Sequence, residues 1–168
     1  MKKRTIFAFA AAAALLLAGC ANYMLGTTLP AHLKTINVAT FTNRTTEPGI
    51  ESTVTSAVRR EFQRDGQLKV LDSGDADILL TAVLVSYDVE SKLYDRNNTN
   101  KTRLQQATIS CKIDAVERET GKTIVSQVVQ GDKTFPVSGD IVTARRNALK
   151  DVANDLAKEV VDAVVSAW

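Results

Sequence analysis

The side chains capable of chemistry are few and poorly placed for it. The one histidine, His32, stands beside Pro30 with no second ligand at a metal-binding spacing, so it reads as a solvated side chain. Asp72, Asp75 and Asp77 alternate as calcium ligands do. No glutamate stands at position 83 to complete an EF-hand loop, and a turn-and-cap role is predicted for them instead. Cys111 belongs to the alternating run Ala107, Ile109, Cys111, Ile113, Ala115, which a strand places on one face. That pattern predicts a buried, inert thiol, with no histidine nearby to activate it as a nucleophile. Gly131-Asp132-Lys133-Thr134 has the outline of a phosphate loop but lacks the leading glycine spacing, and neither GxGxxG nor GxSxG occurs. The Asn-x-Thr triplets beginning at Asn43, Asn97 and Asn100 read as turn residues. The expectation is a protein with no cofactor, no metal site and no catalytic constellation.

Composition narrows the classes further. At 168 residues and 45% hydrophobic, the chain is too apolar to be disordered and too short for two sizeable cores. A net charge of +2 argues against a nucleic-acid partner, which calls for a concentrated basic excess. Two cysteines cannot build a disulfide framework.

The N-terminus carries an address. Lys2, Lys3 and Arg4 precede an uncharged run of 13 apolar residues, Ile6 to Ala18. At about 1.5 Å per residue that run falls short of the roughly 30 Å hydrocarbon core, as a signal peptide does and a stable span does not. It ends in Leu17-Ala18-Gly19-Cys20, which resembles the lipobox of bacterial lipoproteins. The resemblance implies cleavage before Cys20 and a new N-terminal cysteine bearing three acyl chains. At about 0.8 kcal/mol per buried CH₂, one chain holds weakly and several hold firmly. Residue 21 is Ala rather than the Asp that favours inner-membrane retention, which points to the outer membrane. Removal of residues 1–19 leaves 149 residues, and the loss of three cations takes the charge to about −1. A domain of that size buries about 68–70% of its unfolded surface and needs no disulfide.

Behind this segment, residues 20–34 lack periodicity and read as a tether, and residues 35–168 as one domain. Thr35 to Phe41 predicts a short strand. Ile50, Val54, Val58 and Phe62 recur every four residues between Pro48 and Asp65-Gly66, predicting an amphipathic helix with a glycine stop. Leu68 to Leu71 predicts another short strand. Asp77 to Leu93 predicts a long one, apolar on both faces in its first half and alternating in its second, where Val85, Tyr87 and Val89 oppose Ser86, Asp88 and Glu90. A two-sided apolar strand must be covered on both sides, by a loop or helix end in preference to a partner. Asp95 to Lys101 predicts a long polar hairpin loop, followed by strands from Thr102 to Glu117 and from Thr123 to Gln130, with Phe135-Pro136-Val137 ending the sheet region. A closing helix from about Asp140 to Ala167, capped by Ser138 or Asp140, carries Ala148, Val152, Leu156, Val160 and Val164 along one stripe. Arg145, Arg146 and Lys150 fall in its first turns and acids follow, the reverse of what the helix dipole prefers.

Tyr23, Gly26 and Leu29-Pro30, then Lys34-Thr35-Ile36-Asn37-Val38, resemble the opening of the LptE family of lipopolysaccharide-assembly lipoproteins. Phe41-Thr42-Asn43-Arg44-Thr45-Thr46-Glu47-Pro48-Gly49-Ile50-Glu51, Arg60-Glu61-Phe62 and Asp65-Gly66-Gln67-Leu68-Lys69-Val70 strengthen it, and Asp75-Ala76-Asp77 continues it. The specific similarity covers about residues 23–80. Where the family has Gly-Tyr directly after the lipid cysteine, this chain has Ala21-Asn22-Tyr23.

The resemblance implies an α+β two-layer sandwich, β-α-β-β-β-α, with two helices on one face of a mixed sheet. It also implies a lipoprotein of the outer membrane's periplasmic face. Such a protein plugs the barrel protein LptD, helps it assemble, and contacts lipopolysaccharide on its way to the outer leaflet. Lipid A and core phosphates are anions, so exposed cations are the candidate contacts. These are Arg96, Lys101 and Arg103 at the hairpin tip first, then Lys112 on the strand and Arg145, Arg146 and Lys150 on the last helix. The rival expectation is an anchored adaptor that binds peptidoglycan or another envelope protein. An envelope enzyme ranks third, for want of a clustered acid, base or nucleophile.

Overall fold

The computed structural model describes residues 30–72, 74–95, 98–137 and 140–167, without the side chains of 93–95 and 98–103. Among these residues six strands and two helices follow in order: β1 (Thr35–Val38), β2 (Thr42–Asn43), α1 (Ile50–Asp65), β3 (Lys69–Val70), β4 (Ile78–Asp95), β5 (Asn98–Glu117), β6 (Thr123–Pro136) and α2 (Ile141–Val165). The strands form one mixed sheet in the order β3-β1-β4-β5-β6, with β2 also beside β4. The short strands run parallel to their neighbours, and β4, β5 and β6 form an antiparallel meander. Both helices cover one face, the α+β two-layer arrangement the sequence predicts.

The helices begin and end where local chemistry directs. α1 starts after Gly49 and stops at Gly66, both at φ 78°, a conformation that favours glycine, and the Gly66 N–H donates to the Phe62 carbonyl at 3.0 Å. Its stripe of Ile50, Val54, Val58 and Phe62 is wholly buried. α2 is capped by Asp140, whose carboxylate accepts from the N–H groups of Val142 and Thr143, both at 3.1 Å. Val152, Leu156, Val160 and Val164 are buried beneath it, as the periodicity predicts.

Four strand details depart from the sequence reading. The predicted first strand, Thr35 to Phe41, ends at Val38 as β1, against Ile78 to Leu80, and Thr42 and Asn43 beyond it form β2, against Val83 and Leu84. Between them Phe41 turns into the core, and its N–H donates to the hydroxyl of buried Thr55 at 3.0 Å. The polar stretch read as a loop is largely strand, since β4 reaches Asp95 and β5 begins at Asn98. Backbone pairing accepts any side chain outside a core, so polarity alone does not end a two-stranded ribbon. β6 runs past Gln130 to Pro136 for the same reason. Finally, a bulge falls between Leu84 and Ser86, where Val85 has no partner on β5. Leu80, Ala82 and Leu84 face the core before it, and Tyr87 and Val89 pack against the core after it. One extra residue has switched the parity of the strand. Val85, grouped by alternation with Tyr87 and Val89, is therefore 52% exposed.

The two-sided apolar half of β4 has no cover on its second face among the described residues. Leu79 and Val83 are half-buried on that face. Val116 stands opposite Leu79, and Lys112 lies between Val83 and Val128 in the register.

Residues 30–34, which the sequence reading assigned to the tether, are tied to the sheet. The Leu33 N–H donates to the Pro30 carbonyl at 2.9 Å, and the Leu33 side chain is buried. Asp77 Oδ2 accepts from the N–H groups of Lys34 and Thr35 and from the Thr35 hydroxyl, at 2.9, 2.9 and 2.7 Å. His32 is largely exposed, and its Nε2 lies 2.9 Å from Glu117 Oε1. Asp77 thus fills the capping role expected of the acidic turn. Cys111 is fully buried, and burial pushes its thiol up to about 12, which keeps it protonated and inert.

One glycine sets the distance between the layers. A Cβ on Gly131 of β6 would lie 2.3 Å from the backbone nitrogen and 2.6 Å from the Cα of Leu156, so only hydrogen fits under the helix. The sequence reading saw this residue merely as a failed phosphate loop. Replacement by alanine forces α2 off the sheet, and overpacking of this kind costs about 1–3 kcal/mol. Gly131→Ala is expected near the top of that range in urea unfolding; an unchanged midpoint would show that the helix moves freely.

Asp77 generates a pH prediction. The Lys34 N–H first, then the Thr35 hydroxyl, hold its carboxyl below the ordinary value near 3.9. Its contribution to stability is therefore present above that value and is lost as pH falls through the lower, folded value. Between pH 7 and pH 3 the native protein should lose more stability than Asp77→Ala does. Equal losses by urea titration at the two pH values would contradict it.

Candidate functional site

The first turns of α2 stand over the second half of β4. The bulge at Val85 turns Tyr87 and Val89 towards the helix side, and α2 brings Val142, Arg145, Arg146 and Leu149 to meet them at the i, i+3, i+4, i+7 spacing of one helical face. With Glu47 from the loop before α1, these residues line an open groove of about 350 Å³. Tyr87, Val89, Val142 and Leu149 supply an apolar wall, and Val142 is 60% exposed. The two guanidinium groups outnumber the single carboxylate, so the groove is net cationic.

The electrostatics keep it so. Burial first, then the charge of Glu47, push the Tyr87 phenol up, and Arg145 opposes them, so the ring presents a hydroxyl at neutral pH. Asp140 sits before the helix with its carboxyl held low by the Thr143 hydroxyl and the Val142 N–H. Its ionised cap offsets the unfavourable placing of Arg145 and Arg146 near the positive end of the helix dipole. Among the described residues neither arginine makes an ion pair. The groove can therefore take an anionic group beside an apolar chain.

Among the described residues, the predicted cations do not gather at one site. Arg145 and Arg146 come together in the groove. Lys150, one turn on from Arg146, faces a different cleft, against α1. Lys112 lies on the opposite face of the sheet, with its Nζ 3.8 Å from Asp114 Oδ2. Lys101 lies on β5 rather than in the loop, and Arg103 lies on β5 as predicted; the two flank Thr102, which pairs with Tyr94. Arg96 and Cys20 lie outside the described residues. Among the described residues, no group of three His, Cys, Asp or Glu could hold a metal ion.

Sequence reasoning missed Tyr87, Val89 and Glu47 as partners of Arg145 and Arg146. The i, i+3, i+4, i+7 spacing of 142, 145, 146 and 149 is the signal that places them on one helix face. The bulge that supplies the opposite wall left no comparable signal.

Among curated proteins, none matches the chain. Among solved structures, a Xanthomonas campestris protein is similar over 84% of this chain and 91% of its own, with 14% identity and a TM-score of 0.59. A hypothetical protein of Chlamydia trachomatis is similar over 79% of this chain and 98% of its own, with 9% identity and a TM-score of 0.56. At such identities they show a shared fold. The model of the LptE family, described as lipopolysaccharide-assembly, matches residues 33–164, and the chain belongs to that family.

Proposed function

We propose that this chain is an outer-membrane lipoprotein that plugs and helps assemble the lipopolysaccharide-translocating barrel LptD, and that it contacts lipopolysaccharide through the groove at the start of α2. On this reading residues 1–19 are a signal peptide, and Cys20 carries the lipid anchor on the periplasmic face. Family membership supports the setting. The observation that carries the contact is the pairing of Arg145 and Arg146 with the apolar wall of Tyr87, Val89, Val142 and Leu149. Lipopolysaccharide offers the complementary pair, phosphates beside acyl chains. The helix face replaces the hairpin tip as the favoured contact, because two of its cations share one groove.

Each cation near an anionic lipid surface is worth about 1 kcal/mol, so Arg145→Ala/Arg146→Ala should weaken lipopolysaccharide binding about 30-fold at low salt and less at high salt. Lys112→Ala, on the other face of the sheet, should bind as the native protein does. Unchanged affinity in the double variant would overturn the site. The partner is tested by affinity purification of the tagged, full-length protein from detergent-extracted outer membranes. A large β-barrel protein should be retained. Its absence, with other envelope complexes intact, would favour the adaptor role.

A further inference from the structure

Beside the groove lies a second cleft with a different chemistry. Thr53, Ser56 and Arg60 of α1 face Lys150 and Asn154 of α2 across a space of about 390 Å³. The residues follow helical spacing on both sides: 53, 56 and 60 on α1, and 150 and 154 on α2. Beneath them Ala57 and Ala153 are buried, and such small side chains let the two helices lie close enough for the longer ones to converge.

Every lining side chain can donate a hydrogen bond. The cleft offers a planar guanidinium, an ammonium, two hydroxyls and an amide, with no carboxylate among its lining residues. Arg60 and Lys150 make no ion pair among the described residues, although acids are near in sequence. Glu61 is taken by Arg64, and Asp151 lines a separate cavity with Phe135 and Pro136, on the β6 side of α2. Two like charges held across one cleft repel each other, and an anion between them removes that repulsion. A tetrahedral dianion accepts bonds from a guanidinium and an ammonium while the hydroxyls and amide serve its remaining oxygens.

We infer that this interhelical cleft is a phosphate-binding subsite, with Arg60 and Lys150 as the charged jaws and Thr53, Ser56 and Asn154 as neutral donors. For a phosphorylated glycolipid as the source of the phosphate, the inference rests on the lipopolysaccharide reading above. The cleft then holds a second phosphate of a ligand whose apolar part lies in the groove, since Arg146 and Lys150 are one turn apart on the same helix.

The test uses the folded protein without its signal peptide and inorganic phosphate as the probe, followed by amide NMR. Phosphate should shift the amides of Thr53, Ser56 and Asn154 in a saturable way, and chloride at matched ionic strength should not. Arg60→Gln/Lys150→Gln, at exposed positions that leave the core intact, should weaken phosphate binding about fivefold or more, and Lys150→Arg should retain it. Absence of saturable shifts in the native protein would overturn the subsite, as would unchanged binding in the double variant. Intact lipopolysaccharide should displace bound phosphate, and dephosphorylated lipopolysaccharide should not. Phosphate binding without displacement would overturn the glycolipid source and, with it, the lipopolysaccharide reading of this cleft, while sustaining a site for small phosphates.

Discussion

The contact on which the rest depends is the approach of the α2 backbone to Gly131. Helices usually rest on a sheet through side chains from both sides, but here the nitrogen and Cα of Leu156 would lie 2.3 and 2.6 Å from a Cβ on the strand. A helix seated so closely has one lateral position. That position buries Val152, Leu156, Val160 and Val164, sets α2 beside α1, and holds the first turns of α2 over Tyr87 and Val89. The neighbouring bond from the Asp132 N–H to Asp155 Oδ2, at 3.1 Å, ties helix and strand at the same point and satisfies a donor at the outer edge of the sheet.

The charge order of α2 follows from this seating. Viewed along the sequence, cations near the N-terminus and acids beyond them oppose the helix dipole. Viewed around the helix, they are sorted by neighbour. Asp151 and Asp155 look towards β6, where Asp155 meets a backbone donor. Arg145 and Arg146 look into the apolar groove, and Lys150 looks towards α1. The dipole cost of roughly 0.3–1 kcal/mol per exposed charge is small, and the Asp140 cap offsets part of it. What results is one helix with Asp151 and Asp155 turned to its own sheet edge and its first cations turned to the groove over β4 and the cleft against α1.

The elements that carry strong periodicity were legible in the sequence. The α1 stripe from Ile50 to Phe62 and its glycine stop, the α2 stripe, and the inward face from Ala107 to Ala115 all follow from spacing alone. The element order after Thr35 was legible too, with the short strand near Lys69 and Val70 that the order implied by the resemblance lacks, and the resemblance supplied the family. What escaped was whatever depends on a distant partner. Val85 is a bulge only because Leu84 and Ser86 face consecutive residues of β5, Cys111 and Ser110. Gly131 is obligatory only because Leu156 crosses it. The break between β1 and β2 follows Phe41, which leaves the strand for the core. The cations were visible as residues, but which of them share a groove was not, because that depends on the parity switch in β4 and on the seating of α2.

The central claim is that the groove at the start of α2, and not the open face of the sheet, meets lipopolysaccharide. Val142 and Val128 make a matched pair for testing it, since each is 60% exposed, one in the groove and one on the open face. A photo-activatable phenylalanine analogue at each position, irradiated in cells making lipopolysaccharide, reads the contact directly. The account predicts a lipopolysaccharide adduct from position 142 and none above background from position 128. An adduct from position 128 alone, or equal yields from both, would contradict it.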